Sequence, residues 1–387
     1  MNESLPAARF DWDIFCRVVD NFGDIGVSWR LARGLAQDHG LRVRLWVDDW
    51  KALATLCPAA AASEAPLCVA GVALHHWFDP FPPVMPARSV VEAFACELPE
   101  TYLAAMAASE PVPLWINLEY LSAEDWVEGC HGLTSPHPRL PLVKHFWFPG
   151  FTVRTGGLLR ESGLIGARDR FQADAAIRRD WLAGIGVPPV SPDARLVSLF
   201  AYEQPALGAL LSAWAEAQQP TVLLVPNGRV VPDVLRFFGP ARMAVGSVLR
   251  RGSLTAIILP FLDSGDYDRL LWACDLNFVR GEDSLVRALW AGRPLVWHIY
   301  MQDEDAHHAK LDAFLARLLE GLPPDHAAAV LGFWRAWNGQ GEPAAYWTTF
   351  EKYLPGLAVR TRAWSDSLAT QTDLATSLAK FSELAVK

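Results

Sequence analysis

The alternation of apolar and polar positions divides the chain into two stretches with the same grammar. Trp12 to Val19 is a short, mostly apolar run that suits a buried strand. The polar turn Asp20-Asn21-Phe22-Gly23-Asp24 follows it and opens a stretch of helical apolar spacing from Ile25 to Gln37. Arg42 to Val47 reads as a second strand and closes a β-α-β unit, the building block of a parallel, doubly wound sheet. Shorter apolar segments predict strands at Ser89–Phe94, Leu114–Asn117 and Phe146–Phe148, joined by connections rich in Pro and Gly.

From residue 154 to 190 the pattern gives way to Gly-rich and charged sequence that ends near Pro188-Pro189, which predicts a linker between an N-terminal domain at 1–153 and a second domain at 191–360. In that second domain the β/α alternation restarts, with strands expected at Leu196–Phe200, Thr221–Val225, Leu254–Phe261, Leu276–Arg280 and Leu295–Ile299. Leu368, Leu374, Leu378, Phe381 and Leu384 fall at helical spacing, so residues 361–387 are expected to form an amphipathic helix that packs back on the first domain. The expected fold class is therefore α/β, with two Rossmann-like domains and a ligand cleft where the carboxyl ends of their strands meet.

Composition supports two packed cores: the chain has 387 residues, 51% hydrophobic and 20% charged. A formal charge of −9 argues against a nucleic-acid or anionic-membrane partner, since both are met by Lys/Arg excess. An anionic substrate then needs a local positive pocket. The six cysteines form no C-x-x-C pair, which points to reduced thiols and a cytoplasmic location. The N-terminus has no basic and apolar leader pattern. Apolar runs such as Leu254–Leu262 are well short of the roughly 20 residues a membrane helix needs.

Two turns carry candidate chemistry. Asp20 and Asp24 sit at the carboxyl edge of the first strand, where a dinucleotide site would present G-x-G-x-x-G; its absence disfavours NAD. A helix cap and a turn start would account for both acids, and a pair facing a cleft would also suit orienting and deprotonating a nucleophile. In the second half, strand Leu276–Arg280 runs into Gly281-Glu282-Asp283-Ser284. There the N–H groups of a helix start, the Ser284 hydroxyl and the Arg280 charge would hold a diphosphate, provided Glu282 and Asp283 turn away. A capped helix with acids favouring its own dipole is the competing reading. Phe200, Tyr202, Phe261 and Tyr267, at strand exits, are candidates to stack on a base, with core packing as the alternative. His307-His308 beside Asp303, Glu304 and Asp305 matches no metal-ligand spacing and reads as a helix start; no metal is expected. The 17 Trp are read mostly as core.

Taken in order, the segments IFCRVVDNFGDIGVSWRLARGLA, VVEAFACELP, LWINLEYLSAEDW, FWFPGF, NFVRGEDSLVRA and PLVWHIY resemble the EarP family, the protein-arginine rhamnosyltransferases that modify bacterial elongation factor P. The resemblance runs from Ile14 to Leu315. It implies a GT-B glycosyltransferase with two facing Rossmann-like domains. It also implies inverting chemistry without a metal or other cofactor, dTDP-β-L-rhamnose as donor, and an arginine at a loop tip of elongation factor P as acceptor, in support of translating proline-rich stretches. By motif match Asp24 is the general base and Asp20 orients. Arg280, Glu282, Asp283 and Ser284 form the segment that receives the diphosphate, with Glu282 also counted among the catalytic residues. Phe200, Tyr202 and Phe261 match the nucleotide-side aromatics. Two positions depart from the pattern: Ser264-Gly265 stands where a Gln or acidic residue is expected, and Met301 follows His-Ile-Tyr where a Pro is common. A GT-B enzyme with a small-molecule or lipid-linked acceptor is the alternative, and a non-catalytic nucleotide-sugar sensor a more distant one.

Overall fold

Every residue of Trp12–Cys16 (β1) is buried, as expected for a strand covered on both faces. Trp12, Ile14 and Cys16 enter one apolar cluster and Phe15 the other, the period-2 alternation of a strand. The computed structural model describes residues 9–19, 22–62, 66–239, 245–301 and 306–385. The chain forms two units, the first of residues 1–162 and 369–387, the second of residues 163–368.

In the first unit β1 is followed by α1 (Gly23–Gln37), β2 (Val43–Val47), α2 (Trp50–Leu56), β3 (Leu67–Val69), β4 (Val72–His76) and β5 (Ser89–Ala93). Then come α3 (Glu100–Ala107), β6 (Leu114–Leu118), α4 (Trp126–Cys130), β7 (Thr134–Pro136) and β8 (Val143–Trp147). The sheet order is β3-β4-β2-β1-β5-β6-β8-β7. Its inner pairs are parallel, and β3 and β7 pair antiparallel at the two edges. Asp13 of β1 is fully buried and satisfied: Arg44 reaches its two oxygens at 2.6 and 2.7 Å, Ala87 N–H donates at 3.0 Å, and the Tyr102 hydroxyl donates as well.

The second unit contains α5 (Leu164–Ala173), α6 (Ala175–Gly184), β9 (Arg195–Leu199), α7 (Leu207–Glu216), β10 (Thr221–Pro226), α8 (Val231–Phe238), β11 (Val248–Arg251) and β12 (Leu254–Leu259). It continues with α9 (Ser264–Ala273), β13 (Leu276–Arg280), α10 (Gly281–Ala291), β14 (Leu295–His298), α11 (Ala306–Leu319), α12 (Pro324–Trp337), α13 (Pro343–Lys352) and α14 (Leu354–Leu368). Its sheet order is β11-β12-β10-β9-β13-β14, with β11 the antiparallel edge. No helix among the described residues is long and apolar enough to cross a membrane.

Two expectations need correction. Residues 154–190 hold α5 and α6, both in the second unit, where a linker was expected. The charge there is partly internal: Arg168 is fully buried, donating to the Trp290 carbonyl and Ser365 hydroxyl at 3.0 Å and to Asp366 at 2.9 Å. A buried, satisfied arginine and a solvated one look the same in a sequence. Asp174 starts α6 by accepting from Ala176 N–H at 2.8 Å and Ile177 N–H at 3.2 Å. Asp174→Ala is expected to lower stability by about 1 kcal/mol, read as an earlier urea midpoint at unchanged slope.

Residues 361–387, expected as one helix, divide between α14, which ends in the second unit, and α15 (Leu374–Ala385), which packs on the first. Asp373 makes the break by capping α15, its Oδ1 accepting from Thr376 N–H at 2.9 Å. Leu374 and Leu378 are buried in the core beside α1.

Candidate functional site

In the first sheet the chain leaves β1 toward β2 on one side, while β5 lies on the other, so the crevice of a doubly wound sheet falls at the carboxyl ends of β1 and β5. Asp24, the second residue of α1, sits at that edge. It is 2% exposed, and its Oδ2 accepts from Val19 N–H at 2.8 Å. The carboxylate is thus tied to the strand exit that precedes its own helix. Phe22 is the N-cap of α1 and makes no side-chain cap bond, so Asp24 adds its charge to the first turn without being the cap. Asp20, expected to orient beside it, lies outside the described residues. Beneath Asp24, Cys16 is fully buried; burial, with the Asp24 charge adding to it, pushes the thiol well above its ordinary range, so it stays protonated.

Across this crevice the exit of β5 is strained. Phe94, Ala95 and Glu97 have φ of 56°, 52° and 56°, a region non-glycine residues seldom occupy. The loop is held by two buried side chains. The Glu92 carboxylate accepts from Glu97 N–H at 3.1 Å and Trp115 Nε1–H at 3.0 Å and pairs with Lys144 at 2.9 Å. Asn117 Oδ1 accepts from Ala95 N–H at 3.2 Å. Phe94 then stacks on Tyr120 at 4.5 Å between centroids, next to Glu119. Burial pushes the Glu119 carboxyl above its ordinary range, against the opposing pull of its Asn117 hydrogen bond. The segments VVEAFACELP and LWINLEY carried the resemblance with no role attached to Phe94, Glu119 or Tyr120. The available signal was an acid and aromatics directly after two strands.

In the second sheet the corresponding crevice lies between β9 and β13. Arg280 ends β13 and is 5% exposed, and its guanidinium carbon lies 4.8 Å from the ring centroids of both Phe200 and Tyr202. The two aromatics therefore serve first as a cation–π cradle for Arg280, where stacking on a base was expected. Gly281 opens α10 at φ 61°, and its carbonyl accepts from Trp297 Nε1–H at 2.8 Å. The Ser284 hydroxyl folds back on the backbone carbonyl and N–H of Arg280, so it braces the turn. Glu282 pairs with Lys310 of α11 at 2.7 Å, which neutralises one of the two acids that would oppose a phosphate. Asp283 is half-buried in the same first turn.

Tyr267 belongs to α9, not to a strand exit. It packs edge-on against Phe200 at 5.6 Å, and burial pushes its hydroxyl well above the ordinary phenol range. Phe261 is half-buried in the loop after β12. The departing Ser264-Gly265 pair begins α9, with Asp263 Oδ1 accepting from Gly265 N–H at 2.9 Å and Asp266 N–H at 2.8 Å. Met301 is 73% exposed. His307 and His308 lie in the first turn of α11 with rings 4.1 Å apart, and Asp303, Glu304 and Asp305 fall outside the described residues.

Chemically, the first unit offers a fixed acid beside a strained, aromatic- and acid-lined loop. The second offers a caged guanidinium over a helix N-terminus. The first arrangement suits a cationic, proton-losing group and the second a polyanion.

Residues 12–383 match the family model described as "Elongation-Factor P (EF-P) rhamnosyltransferase EarP". A protein-arginine rhamnosyltransferase of Pseudomonas putida is 55% identical over 370 residues, covering 96% of this chain and 98% of that protein. A solved structure concerning EarP-mediated arginine glycosylation of translation elongation factor EF-P is 40% identical, with a TM-score of 0.67, covering 96% of this chain and 98% of that one. A UDP-glucosyltransferase from Polygonum tinctorium, 11% identical with a TM-score of 0.54 over 98% of this chain and all of that one, shares the fold alone.

Proposed function

The chain belongs to the EarP family, GT-B glycosyltransferases that rhamnosylate an arginine of elongation factor P, and within that activity we propose dTDP-β-L-rhamnose as donor, metal-free inversion and a cytoplasmic setting. The observation that carries the residue assignment is the division of labour just described: a backbone-tethered Asp24 in one unit and a caged Arg280 over a helix N-terminus in the other.

A guanidinium is protonated at any physiological pH and is not nucleophilic. Its nitrogen acquires a usable lone pair only as a base removes a proton. In the proposed step that nitrogen attacks the anomeric carbon of rhamnose from the face opposite the diphosphate. The new C–N bond forms as the C–O bond to the diphosphate breaks, dTDP leaves, and Asp24 takes the proton. Asp20 is assigned the orienting of the acceptor by its place in the Asp20-Asn21-Phe22-Gly23-Asp24 motif. The charge that grows on the leaving diphosphate is met by Arg280 and by the positive end of the α10 dipole, already in place before the reaction. Glu282, held by Lys310, contributes to donor placement rather than to proton transfer.

Intact mass of elongation factor P after incubation with the protein and dTDP-rhamnose tests this reading: a gain of one deoxyhexose is expected. An unchanged mass from a preparation that binds dTDP would move the reading to a small-molecule or lipid-linked acceptor.

Glu119, desolvated beside the stacked Phe94–Tyr120 pair, is assigned to the acceptor side, where a carboxylate and aromatic faces both favour a guanidinium. Glu119→Gln is expected to raise KM for elongation factor P about tenfold, the worth of one charge-assisted hydrogen bond, with dTDP affinity unchanged by calorimetry.

A further inference from the structure

Among the described residues several buried polar atoms of the second unit lack a hydrogen-bond partner, and one of them, His298 Nδ1, belongs to the strand that pairs with Arg280. His298 is the last residue of β14 and pairs in register with Arg280, so the two side chains leave the sheet on the same face. It is 6% exposed, and its Nδ1 is buried with no hydrogen-bond partner among the described residues. The ring meets Tyr202 edge-on at 5.3 Å and Trp337 at 5.7 Å. An unsatisfied buried nitrogen is costly, and it is tolerated where something else supplies the partner.

The surroundings hold this ring in place. Asn338 brackets it from the end of α12: Nδ2 donates to the Trp297 carbonyl at 2.8 Å and Oδ1 accepts from Ile299 N–H at 3.0 Å. Gln204 anchors the loop that carries Tyr202 to the same helix end, its Nε2 donating to the Trp337 carbonyl at 2.7 Å. Arg280, Tyr202 and His298 thus form one wall, in which His298 Nδ1 has no hydrogen-bond partner among the described residues.

We propose that His298 is a donor-positioning residue whose Nδ1–H donates to a phosphate oxygen of the nucleoside diphosphate held beside Arg280. The assignment rests on the reading of the Arg280 turn as the diphosphate site. A neutral imidazole offers one N–H, which is what a phosphate oxygen accepts.

Burial, and then the nearby Arg280 charge, push the free ring down to about 4, so it meets the ligand neutral. The charged groups facing it are Arg280 of β13, Glu203 after β9 and Arg229 after β10; Glu203 raises its proton affinity and the two arginines lower it. A bound diphosphate adds negative charge and raises that affinity. Folded protein with ligand therefore binds a proton more readily than protein without it. The proton-linked part of diphosphate affinity is then complete only below the free-ring value of about 4 and is lost as pH rises through the bound-state pKa.

The test is calorimetry of dTDP and of thymidine, at pH 6 and pH 8 and in two buffers of different ionisation enthalpy, with wild type, His298→Ala, His298→Gln and Arg280→Ala. The expected result is that His298→Ala binds dTDP about tenfold more weakly, with thymidine affinity unchanged. Wild type takes up more protons on binding dTDP than either His298 variant does, since the ligand's own terminal phosphate contributes alike to all three. His298→Gln keeps an N–H donor, so it retains most of the affinity while losing the ring's share of the pH dependence, and it serves alone if the alanine variant does not fold. Wild-type dTDP affinity in His298→Ala, or an unchanged proton uptake in His298→Gln, overturns the assignment. A loss of thymidine binding equal to the loss of dTDP binding does so too. If Arg280→Ala also binds dTDP as wild type does, the diphosphate site itself is misplaced; if only that variant loses affinity, His298 alone is misassigned.

Discussion

Asp24→Asn is expected to cut rhamnosyl transfer to elongation factor P by about 10³-fold, the scale of a lost general base, while dTDP affinity stays within about twofold of wild type. The substitution is nearly isosteric. An asparagine oxygen can still accept from Val19 N–H, the contact that fixes Asp24 at 2.8 Å, so the turn keeps its shape. What disappears is the capacity to take a proton from a guanidinium. The negative charge in the first turn of α1 goes as well, at a cost of about 0.3–1 kcal/mol of helix-dipole stabilisation, far too little to explain a thousandfold loss. Steady-state transfer measured by mass spectrometry, alongside calorimetry of dTDP, separates the two effects. Turnover within tenfold of wild type would remove Asp24 from the base role, whatever the donor affinity.

That Asp24 could be singled out from sequence follows from turn chemistry: a polar turn directly after a buried strand must lie at the carboxyl edge of a parallel sheet. The same logic found Arg280 and Gly281. The parallel strands from β9 to β14 were legible because both their faces are covered, and covered strands leave short apolar runs. The antiparallel edges were not. The three residues of β7 are exposed, and β3 and β11 are short, partly exposed strands whose existence depends on a neighbour to pair with. Phe94, Glu119 and His298 escaped notice for a related reason. Each looks like core or loop in its own segment, and only strand order brings Glu119 near the β5 exit and His298 beside Arg280. The aromatics at Phe200 and Tyr202 were located, and both also face the Arg280 guanidinium. Sequence gives no way to tell that a neighbouring strand delivers a guanidinium to their faces before any base arrives.

That cradle sets the second large effect. Arg280→Ala is expected to weaken dTDP binding roughly 100-fold and to lower kcat/KM for the donor in proportion, with KM for elongation factor P unchanged, because charge-assisted contacts to a diphosphate are worth about 3 kcal/mol together. Arg280→Lys should recover only part of this. The Arg280 guanidinium lies 4.8 Å from two ring centroids at once, a geometry a flat, weakly hydrated cation fits. A compact, strongly hydrated ammonium gives up the forked contact and part of the ring contact. The lysine variant therefore also reports on Phe200 and Tyr202. If it matched wild type, the site would need only a point charge, and the aromatic pair would return to the role of base stacking. If the alanine variant itself bound dTDP normally, the diphosphate would have to be held elsewhere, and the helix start at Gly281 would be only a helix start.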